Sequence, residues 1–310
     1  MAMEQVALRE EGRGLRYLFD RERVLGSALL MPAVLYLLGL VGFPLVLVFL
    51  YAFSDATTGS SSFRLVGLST FQAAISDPVF LPSLRNTVVF TVCSQVVVIV
   101  LATVLGFILS TDFRGKWLAR FLILLPWTTP IALSAVIWLW MLDSIFSPFN
   151  WILASLGLIK HGSPVAWLGQ VHLAMGSVTA LQAWRVLPLA TVILMAGLTS
   201  ISQDVKEQAE VDGAGFWRRL FDIILPLLAP IMMVALLFGI VTTFTDMAVI
   251  FIMTGGGPNN ATQVLASWAF YKGIQAGSLG QGTAVALFMF PVLLGLSIVM
   301  LRLAGRSEVA

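Results

Sequence analysis

The chain is dominated by long stretches that contain no charged side chain. Of its 310 residues, 58% are hydrophobic and 11% are charged, whereas soluble domains carry roughly a quarter charged residues. A transmembrane helix needs about 20 consecutive apolar residues, so these runs predict an integral membrane protein. The uncharged runs cover residues 24–54, 86–111, 121–142, 162–184, 186–203, 223–245, 247–271 and 273–301.

The turn residues between these runs divide them into six predicted transmembrane helices. An outer-membrane barrel would show alternating segments of about ten residues instead of continuous apolar runs, so the predicted fold class is all-α. We expect a single membrane domain at 24–303, with tails at 1–23 and 304–310. The predicted helices span residues 24–53, 84–110, 118–142, 170–198, 228–253 and 282–302.

The basic residues predict the orientation of these helices. Six spans put both termini on one side of the membrane, and that side then carries thirteen Lys and Arg residues against four on the other, with Arg185 inside a span. Cytoplasmic loops are enriched in basic residues, so we expect both termini in the cytoplasm. The thirteen are Arg9, Arg13, Arg16, Arg21, Arg23, Arg114, Lys116, Arg120, Lys206, Arg218, Arg219, Arg302 and Arg306, and the four are Arg64, Arg85, Lys160 and Lys272.

A polar insert interrupts the apolar runs between the fourth and fifth predicted helices, in a loop at 199–227. Residues 199–222 hold eight charged side chains, which lipid cannot accommodate. A short helix at 203–210 with Ser202 as its N-cap, a break at Asp212 and Gly213, and a second helix at 216–224 would form an elbow. Such an elbow either docks a partner protein or is a solvated connector.

Two loops on the opposite side contain shorter patterns. Residues 68–72 could begin a surface helix capped by Ser69 or Thr70. In the loop at 143–169, the sequences 147–150 and 162–164 are breakers around an apolar stretch, 151–159, that we expect along the membrane surface.

The sequence offers few groups for catalysis. It contains two histidines and lacks the spacing of a zinc site, a nucleophile elbow or a phosphate-binding loop. A formal charge of +2 is too small to suggest nucleic-acid binding. We therefore expect neither an enzyme nor a protein with a cofactor or metal site of its own.

Two charges lie within the predicted spans. Arg185 is halfway along the fourth helix, and Asp246 is in the outer half of the fifth. Ionisable groups are costly in lipid and usually face a cavity or a partner. Two hypotheses remain open: a structural ion pair between Arg185 and Asp246, or a polar path for a solute, with Trp184 and Thr245 beside the charges.

The elbow resembles a known sequence pattern. Bacterial ABC importer permeases carry E-A-A, three residues, G, nine residues, I, any residue, L and P in the loop that contacts the ATPase. This chain matches that pattern except at position 208, where Gln replaces Ala. The residues that the resemblance assigns to ATPase coupling are Glu207, Gln208, Ala209, Asp212, Gly213, Ala214, Ile223, Leu225 and Pro226.

Further motifs narrow the resemblance to carbohydrate-uptake permeases related to the maltose and glycerol-3-phosphate systems. These motifs are residues 184–188 (WRVLP), 196–198 (AGL) and 254–258 (TGGGP). The resemblance implies a second permease, two ATPase subunits that hold ATP and Mg²⁺, and an external solute-binding protein or lipoprotein. It further implies that this chain is a multi-pass subunit of the bacterial inner membrane.

The solute is expected to be a di- or oligosaccharide, with a sugar phosphate such as glycerol-3-phosphate as the alternative, since Arg185 could pair with an anion. An ion-coupled secondary transporter would need carboxylates within the spans, and Asp246 alone gives that reading little support. A membrane enzyme would need the catalytic groups that the sequence lacks.

Overall fold

The computed structural model describes residues 22–60, 62–160 and 162–307. Within these ranges the chain is helical apart from its loops and one isolated antiparallel bridge between Ser54 and Leu65. The all-α prediction is therefore confirmed. The expected tails lie mostly outside the described residues, as do Arg9, Arg13, Arg16 and Arg21.

In the described part of the chain, five helices are long and apolar enough to cross a membrane, and a bent pair makes a sixth if it is counted as one span. The straight candidates cover Leu25–Ala52, Phe80–Ser110, Val171–Ser200, Phe216–Phe244 and Leu279–Gly305. Four of the predicted helices therefore recur with shifts of a few residues at their ends, whereas the third and the fifth differ in shape.

The first compact unit extends to Tyr51. Helix α1, Glu22–Leu37, continues through a π-helical turn at Leu38–Gly42 into α2, Phe43–Ala52. No side chain described between residues 25 and 51 is buried. A helix that is apolar on every side and buries nothing of its own is suited to a lipid environment.

The second unit, from Ala52 onward, is built around two long helices that pack along their length, α4 (Phe80–Ser110) and α8 (Val171–Ser200). Small residues allow this close approach. Gly106 of α4 packs against Leu198 of α8. The core continues onto α11 (Leu225–Phe244), where a Cβ added at Gly197 would lie 2.6 Å from the Leu228 side chain.

The third predicted span, 118–142, is not one helix. It consists of α5 (Lys116–Thr128) and α6 (Ile131–Met141), bent by 98°. Pro130 has no amide hydrogen and forces the preceding residue away from helical geometry, and Thr129 is accordingly extended, with ψ of 130°. The Thr129 hydroxyl donates to the carbonyl of Leu125 at 2.8 Å, in addition to the bond that this carbonyl accepts from the Thr129 amide at 3.1 Å.

The fifth predicted span, 228–253, is also wrong in its bounds. The helix already begins at α10 (Phe216–Arg218), passes through a π-helical turn at Arg219–Ile224 and ends with α11 at Phe244. Residues 245–247 are not helical, and a separate short helix, α12 (Ala248–Met253), follows. Asp246 thus lies in a break between two helices, not inside a span.

Short helices occupy the loops at the far end of the bundle from residues 203–211. Helix α3 (Ser69–Ser76) lies where a surface helix is expected, but Leu68 is its N-cap residue and no side chain caps it. Residues 147–150 do not break the chain as predicted: they begin α7 (Pro148–Ser155), and the Ser147 hydroxyl accepts from the amide of Asn150 at 3.2 Å. Helix α13 (Leu265–Phe270), followed by a π-helical turn at Tyr271–Gln275, is the third short helix of these loops. The long helix α14 (Leu279–Ser307) follows it.

Candidate functional site

The elbow forms from helix α9, Gln203–Val211, and the turn that ends it. Gly213 has φ of 71°. Its amide donates to the Glu210 carbonyl at 3.0 Å, and the Ala214 amide donates to the Ala209 carbonyl at 2.9 Å. These two bonds form a Schellman motif, in which glycine at the left-handed position ends a helix without strain. Ser202 is the N-cap residue, but its side chain makes no capping hydrogen bond.

The two faces of α9 differ sharply. Ala209 is buried, at 6% exposure, against the bundle. The opposite face surrounds an open concavity of about 520 Å³. Three of its five lining residues are acidic, and because arginine and lysine pair with carboxylates, this face suits a basic partner. The five residues, called the outward face of α9 below, are Asp204, Glu207, Gln208, Val211 and Asp212.

An ion pair joins α9 to the helix that follows it. Glu210 Oε1 accepts from Arg219 Nη1 in the π-helical turn after α10. Both side chains are partly exposed, so the pair contributes only a small stabilisation. Behind α9, a second cavity of about 340 Å³ extends to Phe107 and Leu198 at the ends of α4 and α8. Ile223 and Leu225 are half-buried, while Pro226 is exposed.

The structure brings the two intramembrane charges together. Arg185 Nη2 and Asp246 Oδ2 are 2.6 Å apart, with side-chain exposures of 18% and 6%. Asp246 Oδ1 also accepts from the Val249 amide at 2.9 Å, so the same carboxylate caps α12. Thr245 is exposed, and its hydroxyl donates to the Val241 carbonyl of its own helix. The ion pair therefore connects the break between α11 and α12 to helix α8.

Trp184 directly precedes Arg185 on α8. Its ring centroid is 5.9 Å from that of Trp138 on α6, and both residues are half-buried. Trp140 is exposed, and Trp268 instead stacks on Tyr271 at 5.1 Å. Of these four tryptophans, Trp184 and Trp138 are therefore the two whose rings lie together.

A buried polar knot, formed by Gln95, Gln182 and Thr243, was not identified from the sequence. Both amide nitrogens donate to the Thr243 hydroxyl oxygen at 3.0 Å, which ties α4 and α8 to α11. The Gln95 amide occupies the notch left by the missing side chain of Gly239. One signal was available for Gln182, which lies three residues before Arg185 and so shares its helix face.

The acidic residue Asp143 has a structural role in its loop. Its carboxylate accepts from the amides of Ile145 and Phe146, each at 2.8 Å. These backbone bonds favour the charged form and hold the pKa of Asp143 below its usual range. Among the described residues there is no group of three or more His, Cys, Asp or Glu that could hold a metal ion.

Comparison with known proteins gives consistent matches along the chain. A family model described as "Binding-protein-dependent transport system inner membrane component" matches residues 99–308. The trehalose/maltose transport system permease protein MalF of Thermococcus litoralis is 32% identical over 92% of this chain and 95% of its own length. The sn-glycerol-3-phosphate transport system permease protein UgpA of Agrobacterium fabrum is 32% identical over 81% of this chain and 84% of its own.

A solved structure shares the fold. A chain from a bacterial alginate ABC transporter, in complex with an alginate pentasaccharide-bound periplasmic protein, aligns with a TM-score of 0.78 at 19% identity. The alignment covers 93% of this chain and 96% of that one. The overall fold is therefore one that a chain of a solved transporter also adopts.

Proposed function

Because the chain belongs to the family of binding-protein-dependent transport system inner membrane components, we propose that it forms one half of the solute pathway of an ATP-driven importer. The chain is a multi-pass permease subunit of an ABC importer in the inner membrane. A second, homologous permease would supply the other half of the pathway. A solute-binding protein or lipoprotein outside the membrane would deliver the solute.

The proposal assigns ATP and Mg²⁺ to two partner ATPase subunits, with no cofactor in this chain. The observation that carries it is the division of α9 into a buried anchor, Ala209, and an acidic outward face whose five residues are all exposed. We place this face, both termini and the flanking tails at 1–23 and 304–310 in the cytoplasm, on the basis of the distribution of basic residues.

One continuous helical run extends from the elbow to the ion pair, and this continuity explains how the elbow could drive transport. Glu210 is paired with Arg219, which lies in the same helical run, Phe216–Phe244, that ends next to Asp246. A run of this length spans about 40 Å at 1.5 Å per residue. Displacement of α9 by a closing ATPase would therefore move the far end of the run as a rigid body and shift the Arg185–Asp246 contact.

The proposed solute is a di- or oligosaccharide. Arg185 is neutralised by Asp246 at 2.6 Å, so the pair offers little net positive charge to an anion. Trp184 and Trp138 are half-buried neighbours, and aromatic rings of this kind stack on sugar rings. The similarity to a glycerol-3-phosphate permease supports the alternative solute, which would require Arg185 to exchange Asp246 for phosphate. An ion-coupled carrier is less well supported, because both oxygens of Asp246 already have partners.

The elbow assignment is tested with Glu207→Lys, which reverses one charge on the outward face of α9. Asp222→Lys is the matched control, since Asp222 is an exposed acid outside that face. We expect Glu207→Lys to reduce co-purification of the ATPase and coupled uptake while membrane insertion stays normal, and Asp222→Lys to change neither. Normal ATPase association and uptake in Glu207→Lys would contradict the docking role.

A further inference from the structure

Four aromatic rings follow one another from Trp167, in the loop after α7, to Trp184, which precedes Arg185 on α8. Ring centroids are 6.5 Å apart between Trp167 and Phe149, 6.4 Å between Phe149 and Trp138, and 5.9 Å between Trp138 and Trp184. Each of the four is half-buried. Each of the four residues is thus packed over part of its surface and accessible over the rest.

Adjoining cavities accompany these rings. A cavity of about 390 Å³ is lined by Trp138, Phe149 and Trp167. The next, of about 290 Å³, shares Trp138 with it and extends to Trp184. A third, of about 250 Å³, shares Thr129 with the second and reaches Arg185. Each cavity thus shares a lining residue with the next, and their linings extend from the first turns of α8 to its middle.

We propose that the first of these cavities, the aromatic cup of Trp138, Phe149 and Trp167, is a second solute site that binds the apolar face of a sugar ring before the solute reaches Trp184. The cup also contains the exposed His172 and the buried Ser177, whose hydroxyl donates to the Trp167 carbonyl at 3.5 Å. The imidazole can bond to hydroxyls at the rim of such a ring, and the serine oxygen can still accept from one. His172 and Arg185 are thirteen residues apart on α8, about 20 Å along the helix. The two sites share Trp138 and differ in their other residues. This inference rests on the proposed function as an importer permease.

The cup is held in shape by a buried amide. Asn150 is 6% exposed, and its Oδ1 accepts from Trp167 Nε1 at 3.0 Å. The Asn150 amide nitrogen donates to the Val165 carbonyl at 3.1 Å, so the loop that carries Trp167 is fixed to α7. A site that is already formed before binding loses less entropy when it takes up a ligand.

The occupant is a saccharide because the cup combines aromatic faces with neutral polar groups and contains no acidic or basic side chain besides His172. Aromatic stacking on sugar faces uses ring shape more than linkage, so the cup should accept glucose oligomers of different linkage. A phosphate group, by contrast, would find no lysine or arginine among the residues that line it.

The test uses saturation-transfer NMR on the assembled transporter in nanodiscs, with maltopentaose and cellopentaose as probes and glycerol-3-phosphate as the comparison. We expect saturation transfer to both saccharides and none to glycerol-3-phosphate. Removing one ring by Phe149→Ala should weaken saccharide binding roughly three- to tenfold. The proposal would be overturned if the unsubstituted protein transferred no saturation to either saccharide. It would also be overturned if saturation were transferred only to the acyl chains of the lipid.

Two further variants separate binding from folding. Gly176→Leu fills the cup without removing a ring, because a Cβ at Gly176 meets nothing within 4 Å, and it should abolish the saturation transfer from the cup. Trp167→Phe keeps a ring but loses the bond to Asn150, and it should retain most binding. If Trp167→Phe lost as much saccharide binding as Phe149→Ala, and Gly176→Leu bound the saccharide fully, only the structure of the loop would matter. That result would contradict the site.

A matched control and a separate readout complete the design. Trp151→Ala alters an exposed indole on α7 that does not line the cup, and it should leave binding unchanged. Stimulation of ATP hydrolysis by the binding protein reports on the importer function independently. If the binding protein does not stimulate ATP hydrolysis while the cup still binds saccharide, the proposed importer function is refuted and the solute site in the cup is not. If stimulation is normal and Phe149→Ala binds saccharide as well as the unsubstituted protein, only the solute site is refuted.

Discussion

At the scale of single residues, the Arg185–Asp246 pair is the most consequential contact inside the membrane. Removing one partner of a buried ion pair leaves the other charge uncompensated, which costs roughly 3–5 kcal/mol. Asp246 also caps α12 through Val249, so its loss should open the break as well.

We predict that Arg185→Ala and Asp246→Asn each lower the thermal unfolding midpoint of the purified transporter, and that the exchange Arg185→Asp with Asp246→Arg recovers part of that loss. Uptake then distinguishes the two hypotheses for the pair. A structural pair predicts that the exchange restores uptake, whereas a solute path predicts restored stability without uptake. Unchanged uptake in both Arg185→Ala and the exchanged double variant would exclude the path.

The polar knot provides a second test at this scale. A methyl group at Gly239 would collide with the Gln95 amide, and overpacking of this kind costs about 1–3 kcal/mol. Gly239→Ala should therefore destabilise the protein in thermal unfolding. Gly295→Ala is the matched control on α14, since a Cβ there meets nothing within 4 Å.

A double variant makes the knot test sharper. Gln95→Ala removes the group that Gly239→Ala would strike, so the two changes together should cost less than the sum of their separate effects. Additive costs would mean that the two residues do not interact as the structure describes.

At the scale of elements, the elbow depends on one backbone conformation. Gly213 has φ of 71°, a region that costs a side chain roughly 1–2 kcal/mol. Gly215, two residues later, has φ of –63° and open space around it. The two glycines therefore separate backbone strain from the simple addition of a side chain.

We predict that Gly213→Val reduces ATPase association and coupled uptake, because α9 can no longer end where it does, and that Gly215→Val changes them far less. Membrane insertion should be normal in both. Pulldown of the ATPase with each variant provides the measurement, and equal losses in the two variants would contradict a role for the left-handed turn.

At the scale of the whole molecule, the side on which the elbow lies can be tested by labelling. In a Cys93→Ser background, a cysteine at Glu207 should react with a membrane-impermeant maleimide only after the cells are permeabilised. A cysteine at Ser155, in the loop at the other end of the bundle, should react in intact cells. The reverse pattern would overturn the orientation that the basic residues predict.

The sequence predicted the helical fold and most span positions because lipid excludes charge, and the uncharged runs record that exclusion directly. Hydropathy depends on side-chain composition and carries no information about the direction of the backbone. The bend at Thr129 and the break at 245–247 were therefore not predicted, although the sequence contains Pro130. The polar knot was missed for another reason. Gln95 and Thr243 are 148 residues apart, and only the packing of three helices brings them together.

The two faces of α9 imply that the shape of the elbow and its choice of partner can evolve separately. The end of the helix is set by backbone bonds around Gly213 and by the burial of Ala209, and the five side chains of the outward face have no part in either. Gln208 lies on that face, which explains why a departure from the family pattern is tolerated there. A permease of this kind could therefore be matched to a different ATPase by exchanging surface residues alone, with its fold unchanged.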